Sequence, residues 1–201
     1  MPMKKNDHSK TSSAAHRILL TAHDLFYQEG IRATGIDKII AQAGVTKVTF
    51  YRHFPSKNDL IKAYLDYRHQ LWMDWFVTAL QRHQQADSVP IMTIVPALAE
   101  WFEQDNYRGC AFINALVELD MALPEMSSIV ATHKQAMIDV IAQLLPMTEQ
   151  QQHHQAQAVA TLIDGAIIRA QLDKNAAAAL ESLSMCLPML YGYPDHLATS
   201  S

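Results

Sequence analysis

Cysteine is nearly absent: Cys110 and Cys186 are the only two among 201 residues, too few for a disulfide framework or a cysteine-built zinc site. Glycine, at six residues, and proline, at eight, are too sparse for a turn-dense all-β fold or a collagen-like repeat. No window holds the roughly 18 uninterrupted apolar residues that a membrane span needs. The opening Met-Pro-Met-Lys-Lys-Asn-Asp-His lacks the apolar stretch of a secretory signal. A cytoplasmic protein with no membrane partner is therefore expected. What the chain does have is apolar content of 49% with only 18% charged residues, enough to bury a core and too little charge for a wholly disordered polymer.

The net charge of −4 conceals an asymmetry. Through residue 57 there are nine cations against four anions, a net of +5, and the remainder carries −9. A basic first quarter on an acidic body points to one end that meets a polyanion.

Apolar residues recur every three or four positions almost throughout, and no stretch alternates as a strand does. Residues 1–11 are polar, basic and aperiodic, and read as a disordered arm. Ser12 or Ser13 is expected to cap a helix running to Gln28 and closed by Gly30. Thr34 then opens a short helix with Ile36, Ile39, Ile40 and Ala43, Gly44 breaks it, and Thr46 caps another from Lys47 to His53. A long helix follows from Ser56 to about Gln84, spanning roughly 40 Å. Further helices are predicted near 90–104, 111–120, 125–145, 149–172 and 176–190.

Two short helices joined by Ala43-Gly44-Val45 and preceded by a longer one form a helix-turn-helix pattern. At 100° per residue, Phe50 and Phe54 lie on one side of the second short helix and face inward. Val48, Thr49, Tyr51 and Arg52 face outward, with Thr46 and Lys47 at the N-terminal end. That mixture suits a major groove: hydroxyls and backbone N–H groups hold phosphates, Lys or Arg reads guanine, and Val touches a thymine methyl.

Residues 30–61 carry A-G-V-T, then F-Y-R-H-F, then S-K-x-x-L. In this combination the segment resembles the DNA-binding portion of the TetR family of bacterial transcriptional regulators. The resemblance is motif-level over about residues 13–61 and architectural beyond. It implies an all-α fold, with an N-terminal three-helix helix-turn-helix head over 12–57 and a C-terminal bundle over 58–201 for dimerisation and ligand sensing. It implies that Thr34 caps its helix and bonds a phosphate, that Lys47, Val48 and Thr49 face bases, and that Tyr51 and Lys57 clamp phosphates. His53 lies near the DNA backbone, and Arg52 is a phosphate or flanking contact. Where members often carry a second hydroxyl after Thr34, this chain has Gly35. The implied partners are a double-stranded DNA operator of near-palindromic sequence, a second copy of the chain and an unidentified small-molecule effector.

In the acidic part, Ala156, Ala160, Ile163 and Ile167 form one stripe, with Gly165 in mid-helix, and Leu183 and Leu187 belong to a second stripe. These are the expected dimer-interface residues, set against the alternative of a core helix within one chain. Trp72, Trp75, Trp101, Phe102 and Phe112 are candidate walls of an apolar effector pocket, and ordinary core residues otherwise. Cys110 follows Arg108-Gly109 at an expected helix start, where a thiol can act as a redox or electrophile sensor or stay buried and inert. No G-x-S-x-G, Walker loop or H-E-x-x-H pattern occurs. The ten histidines are scattered, so no enzyme activity, metal site or cofactor is expected. Three readings stay open: a repressor released by a small molecule, a regulator switched through Cys110, and a helical carrier or enzyme without DNA binding.

Overall fold

The computed structural model describes residues 13–86, 89–119 and 122–191; the expected arm over 1–11 lies outside them. Among the described residues there are nine α-helices and no strand, as the periodicity predicts. The helices are α1 (Ala14–Glu29), α2 (Ile36–Ala43), α3 (Lys47–His53), α4 (Lys57–His83), α5 (Ile94–Phe102), α6 (Ala111–Leu119), α7 (Met126–Ala142), α8 (Glu149–Asp173) and α9 (Ala177–Tyr191). A single 3-10 turn, Pro90–Thr93, leads into α5.

The helix ends are set by local chemistry. Ser13 accepts the His16 N–H at 3.3 Å and starts α1, and Gly30, at φ 92°, ends it. Thr46 Oγ1 accepts the Thr49 N–H at 3.1 Å and starts α3. Ser56 does the same for the Asp59 N–H at the start of α4. Thr148 and Gln151 form a reciprocal capping box at α8. Gly44 sits at φ 62°, ψ 42°, and its N–H turns back to the carbonyls of Ile40 and Ala41. That left-handed residue is what lets the chain reverse between α2 and α3 within three residues.

The chain divides into two compact units, one through Tyr67 and one from Arg68. The division falls inside α4, beyond the expected boundary at 57, because the first turns of α4 bury Leu60, Ile61, Tyr64 and Leu65 in the first unit. Tyr64 meets Phe26 of α1 edge-on at 5.4 Å. Ile18, Ala22, Leu25, Ile39, Ala43 and Phe50 complete that core.

The second unit is built around α8. Its buried stripe of Ala156, Ala160, Ile163 and Ile167 packs within the chain, as do Leu183 and Leu187 of α9. The stripe expected at a dimer interface is thus already buried within one chain: the strongest apolar stripe of each helix goes to the nearest core, where burial of one Ile or Leu contributes about 1.5–3 kcal/mol.

Gly44→Ala places a Cβ on a left-handed backbone and is expected to cost about 1–2 kcal/mol. Hydrogen exchange checks it: amides of α2 and α3 should exchange about tenfold faster, while those of α8 keep their protection.

Candidate nucleic-acid interface and sensing site

Helix α3 is oriented from beneath. Phe50 is fully buried, meets Tyr51 edge-on at 5.2 Å and Phe54 at 6.3 Å, and so turns the opposite face to solvent. Val48 keeps 79% of its surface exposed. Lys47, Tyr51, Arg52 and His53 are exposed as well, and Thr49 is half-buried. Val48 is thus bordered by a cation, a phenol and hydroxyls, groups of the kinds that can meet bases and phosphates in a major groove. The Thr46 and Thr49 hydroxyls bond each other at 2.9 Å, which fixes both at the N-terminal end of α3. Lys47 lies 3.7 Å from Asp37, with both groups in solvent, a pairing too screened to hold the lysine in place.

Two of the expected phosphate contacts bond within the chain. Thr34 is completely buried, and its hydroxyl donates to the Gly30 carbonyl at 2.8 Å, with the Leu25 carbonyl at 3.4 Å. It therefore ties the turn after α1 to that helix and presents nothing to a phosphate; the position before α2 that serves as its cap is Gly35. Lys57 donates to the Ile31 carbonyl at 2.6 Å, with its ammonium 5.9 Å from the centre of the Phe26 ring. It staples the start of α4 to the segment after α1 before any contact with DNA. In both cases a buried or half-buried carbonyl claims the donor, because leaving it unpaired is costly.

In the second unit the expected pocket residues do converge. Trp72 stacks on Phe76 at 4.8 Å and meets Trp101 at 5.6 Å and Trp75 at 6.0 Å, and Trp101 meets Phe102 at 5.8 Å. Phe112 lies flat on His133 with ring centres 3.6 Å apart. Their packing leaves a cavity of only about 10 Å³, bordered by Trp72, Trp101, Cys110, Phe112 and His133, room for a single water at most. Beside it a more open groove of about 220 Å³ runs along Arg68, Leu71, Trp72, Trp75, Trp101 and Gln104. Phe102 and Phe112 are thus packed layers behind the groove rather than its walls. Cys110 stands directly before α6, and its carbonyl accepts the Asn114 N–H at 3.0 Å. Its thiol is buried, with the Lys134 ammonium 3.8 Å from Sγ; Lys134 is in turn bonded to Asp164.

The family model described as "Bacterial regulatory proteins, tetR family" matches residues 18–64, the three helices of the first unit and the start of α4. The solved structure of a TetR-family transcriptional regulator from Streptomyces coelicolor is 32% identical, with 90% of each chain covered and a TM-score of 0.76. The chain belongs to the TetR family of transcriptional regulators. The fold alone is shared with E. coli NemR in its reduced form, at 20% identity and a TM-score of 0.77, covering 90% of this chain and 98% of that one. The transcriptional activator FasR of Mycolicibacterium smegmatis is 28% identical over 72% of this chain and 64% of its own length. The chain spans less than two thirds of the curated relatives it matches. Its homologues are DNA-binding transcriptional regulators of the TetR family, which are generally not enzymes. Among the described residues no helix is long and apolar enough to cross a membrane.

Beyond these residues, the TetR-type second unit holds a histidine pair that the motifs did not single out. His133 Nδ1 and His69 Nδ1 are 3.0 Å apart, so one ring donates and the other accepts. The signal was present: His133 is the polar member of the stripe Met126, Val130, His133, Met137 and Ile141 on α7. His69 falls between Leu65 and Trp72 on α4 at the same spacing. Burial, reinforced by the nearby charges of Lys134, His69 and Arg68, holds the His133 pKa down at about 3 from its usual 6.5. The unfolded chain binds a proton below about pH 6.5 that folded His133 refuses until about pH 3. Its contribution to stability is therefore complete above the unfolded value and drains away as pH falls through that window, by at most about 1.4 kcal/mol per pH unit. Urea unfolding at pH 4.5, 5.5 and 7 should show this slope in the parent, and His133→Phe should lack one proton's share of it.

Proposed function

We propose that the chain is a homodimeric repressor that leaves a palindromic operator when a small molecule with an apolar body enters the aromatic region of its second unit. The observation that carries the DNA end is the exposed face of α3, where Val48 stands bare beside Lys47, Thr49 and Tyr51. In this reading Lys47, Val48 and Thr49 meet base edges. Thr46, Tyr51, Arg52 and His53 position on the phosphate backbone, which fixes register without reading sequence. Lys57 acts by holding the start of α4, and any phosphate contact it makes is added to that bond.

Support for a dimer comes from the outward faces of α8 and α9. Ile168, Leu172, Met185 and Met189 are exposed, with Leu172 at 70% and Met189 at 71%. Gly165 shares that side of α8, and among the described residues nothing beyond its own helix turn and chain neighbours lies within 4 Å of the Cβ it lacks. A mid-helix glycine costs about 1 kcal/mol relative to alanine, and nothing inside the chain requires it. Close approach of a second copy would. Two heads on one dyad call for inverted half-sites about 34 Å apart or a multiple of that. Helix α4 contributes its first turns to the head and carries Trp72, Trp75 and Phe76 in the sensing unit, so an effector that prefers one α4 arrangement shifts DNA affinity.

A second reading rests on the cation 3.8 Å from the Cys110 thiol. Oxidation or alkylation there adds bulk and polarity to a tightly filled interior, which favours another arrangement of the unit. Under this reading Cys110→Ser keeps operator binding and loses release by a mild oxidant, whereas under the small-molecule reading the variant behaves as the parent.

The test begins by recovering bound DNA from a genomic pool. Lys47→Ala should then relax preference at one base position, at a cost of about 1–3 kcal/mol per half-site, and Tyr51→Phe should weaken all sequences alike. Equal loss on specific and random DNA for Lys47→Ala overturns its role as a base reader. Light scattering of Leu172→Glu with Met185→Glu should give a monomer where the parent is a dimer. A reporter driven by the recovered operator distinguishes repression from activation.

A further inference from the structure

We propose that Trp72 and Trp101 form a gate over the thiol of Cys110: their indoles separate an open groove from a sealed chamber, and a thiol reagent reaches the sulfur by parting them. The gate itself rests on the packing of the second unit, and its consequence for DNA binding rests on the cysteine reading given above.

The first ground is a shared wall. The groove of about 220 Å³ and the closed cavity of about 10 Å³ are both bordered by Trp72 and Trp101, together with Arg68. Leu71, Trp75 and Gln104 border only the groove, whereas Cys110, Phe112 and Met137 border only the cavity. The two indoles, with ring centres 5.6 Å apart, therefore stand between the open side and the buried thiol.

The second ground is how each side of the chamber is fastened. Before α6, the Tyr107 hydroxyl donates to the Ile167 carbonyl at 2.9 Å. The Arg108 carbonyl accepts from Asn114 at 2.9 Å and from Gln171 at 3.3 Å. Gln171 also covers Gly109, so closely that a Cβ added there would collide with its amide. On the α7 side His133 is bonded to His69, and Lys134 to Asp164. The indoles of Trp72 and Trp101 are held by ring contacts instead. Trp72 Nε1 is sealed without an acceptor, and a buried donor without a partner destabilises the arrangement that traps it. An arrangement that lets water reach that nitrogen removes the penalty. Trp101 lies in the last turn of α5, a helix of nine residues, and the end of a short helix opens readily.

The third ground is volume. The chamber has room for one water at most. An adduct on Sγ larger than a water overfills it, and the excess is relieved at the side least tied down. A modified Cys110 therefore holds the gate open and reshapes the groove beyond it.

Thiol labelling tests this in the full-length Cys186→Ser variant, where Cys110 is the one remaining thiol. The probes are methyl and cyclohexyl methanethiosulfonate. In each, the Cys110 sulfur attacks the sulfenyl sulfur and an S–S bond forms. The S–SO₂ bond breaks, its electron pair leaves on methanesulfinate, and the thiol proton passes to solvent. Each rate is divided by the rate on the same chain unfolded in urea, which removes intrinsic reactivity. The methyl probe should then outpace the cyclohexyl probe by about tenfold, because a gate that parts slightly passes only the smaller group. Trp101→Ala should raise the methyl rate by about tenfold, the worth of its lost aromatic pairs, and bring the two probes to within about twofold of each other. Trp101→Phe and Trp72→Phe should fall between. Val159→Ala, in the buried stripe of α8 about two turns from Ile167, should leave the probe ratio unchanged, as should Gln171→Ala on the hydrogen-bonded side. Circular dichroism and urea midpoints verify that each variant is folded. Methylthiolation of the Cys186→Ser protein should make its fluorescence more easily quenched by acrylamide, since all three tryptophans line the groove. Equal rates for the two probes, a ratio that Trp101→Ala and Trp72→Phe leave unchanged, or a ratio abolished by Gln171→Ala overturns the gate. An adduct that leaves quenching unchanged overturns its being held open. The failures are distinguishable: a gate that behaves as described while methylthiolation leaves operator binding intact sinks the cysteine reading alone. Operator release with a probe ratio that the tryptophan variants do not move sinks the gate alone.

Discussion

Helix α3 has seven residues, two turns, and a helix that short has no stability of its own in water. Its existence and its orientation both come from burying Phe50 against α1 and α2. Once that ring is under the helix, the geometry of 100° per residue leaves Val48, Tyr51 and Arg52 on the outside, and the exposed face of α3 is decided. The reversal at Gly44 serves the same end, because only a left-handed residue lets the chain double back soon enough for Phe50 to reach the core. Thr34 and Lys57 are drawn into this arrangement too, each donating to a carbonyl in the segment between α1 and α2. The first unit is thus a platform whose polar residues are divided between those that hold it together and those that are left on its exposed face.

The second unit solves a different problem. Its interior is lined with large rings that nearly fill the space they enclose, and the polar atoms trapped among them define its chemistry. His133 stays neutral because charge is too costly beside Arg68 and Lys134 in a buried layer, and it satisfies one ring nitrogen through His69. Trp72 has no such partner.

Small apolar residues at helical spacing carry two meanings, and α8 shows how they separate. Ala156, Ala160, Ile163 and Ile167 form the more regular stripe and lie within the chain. The less conspicuous set, Gly165, Ile168 and Leu172, lies outside with Met185 and Met189 of α9. Intrachain packing takes the continuous stripe first, since it is formed during folding and at no cost in association entropy. What is left over is the surface available to a second copy.

The sequence alone determined the helical class, the positions of the helices to within a few residues, the turn at Gly44 and the outward set on α3. Those features follow from local periodicity, capping residues and the inward Phe50, all of which act over a few positions. Spacing also puts Trp72 and Trp75 on one helix, whereas their contact with Trp101 comes from the tertiary structure. Only the tertiary structure decided what each polar group bonds. The hydroxyl of Thr34 and the ammonium of Lys57 are claimed by carbonyls across the fold, His133 meets a histidine 64 positions away, and the stripe on α8 turns inward. These outcomes depend on which donors, acceptors and surfaces compete at the same point in space, and that competition is set by long-range packing rather than by spacing along the chain.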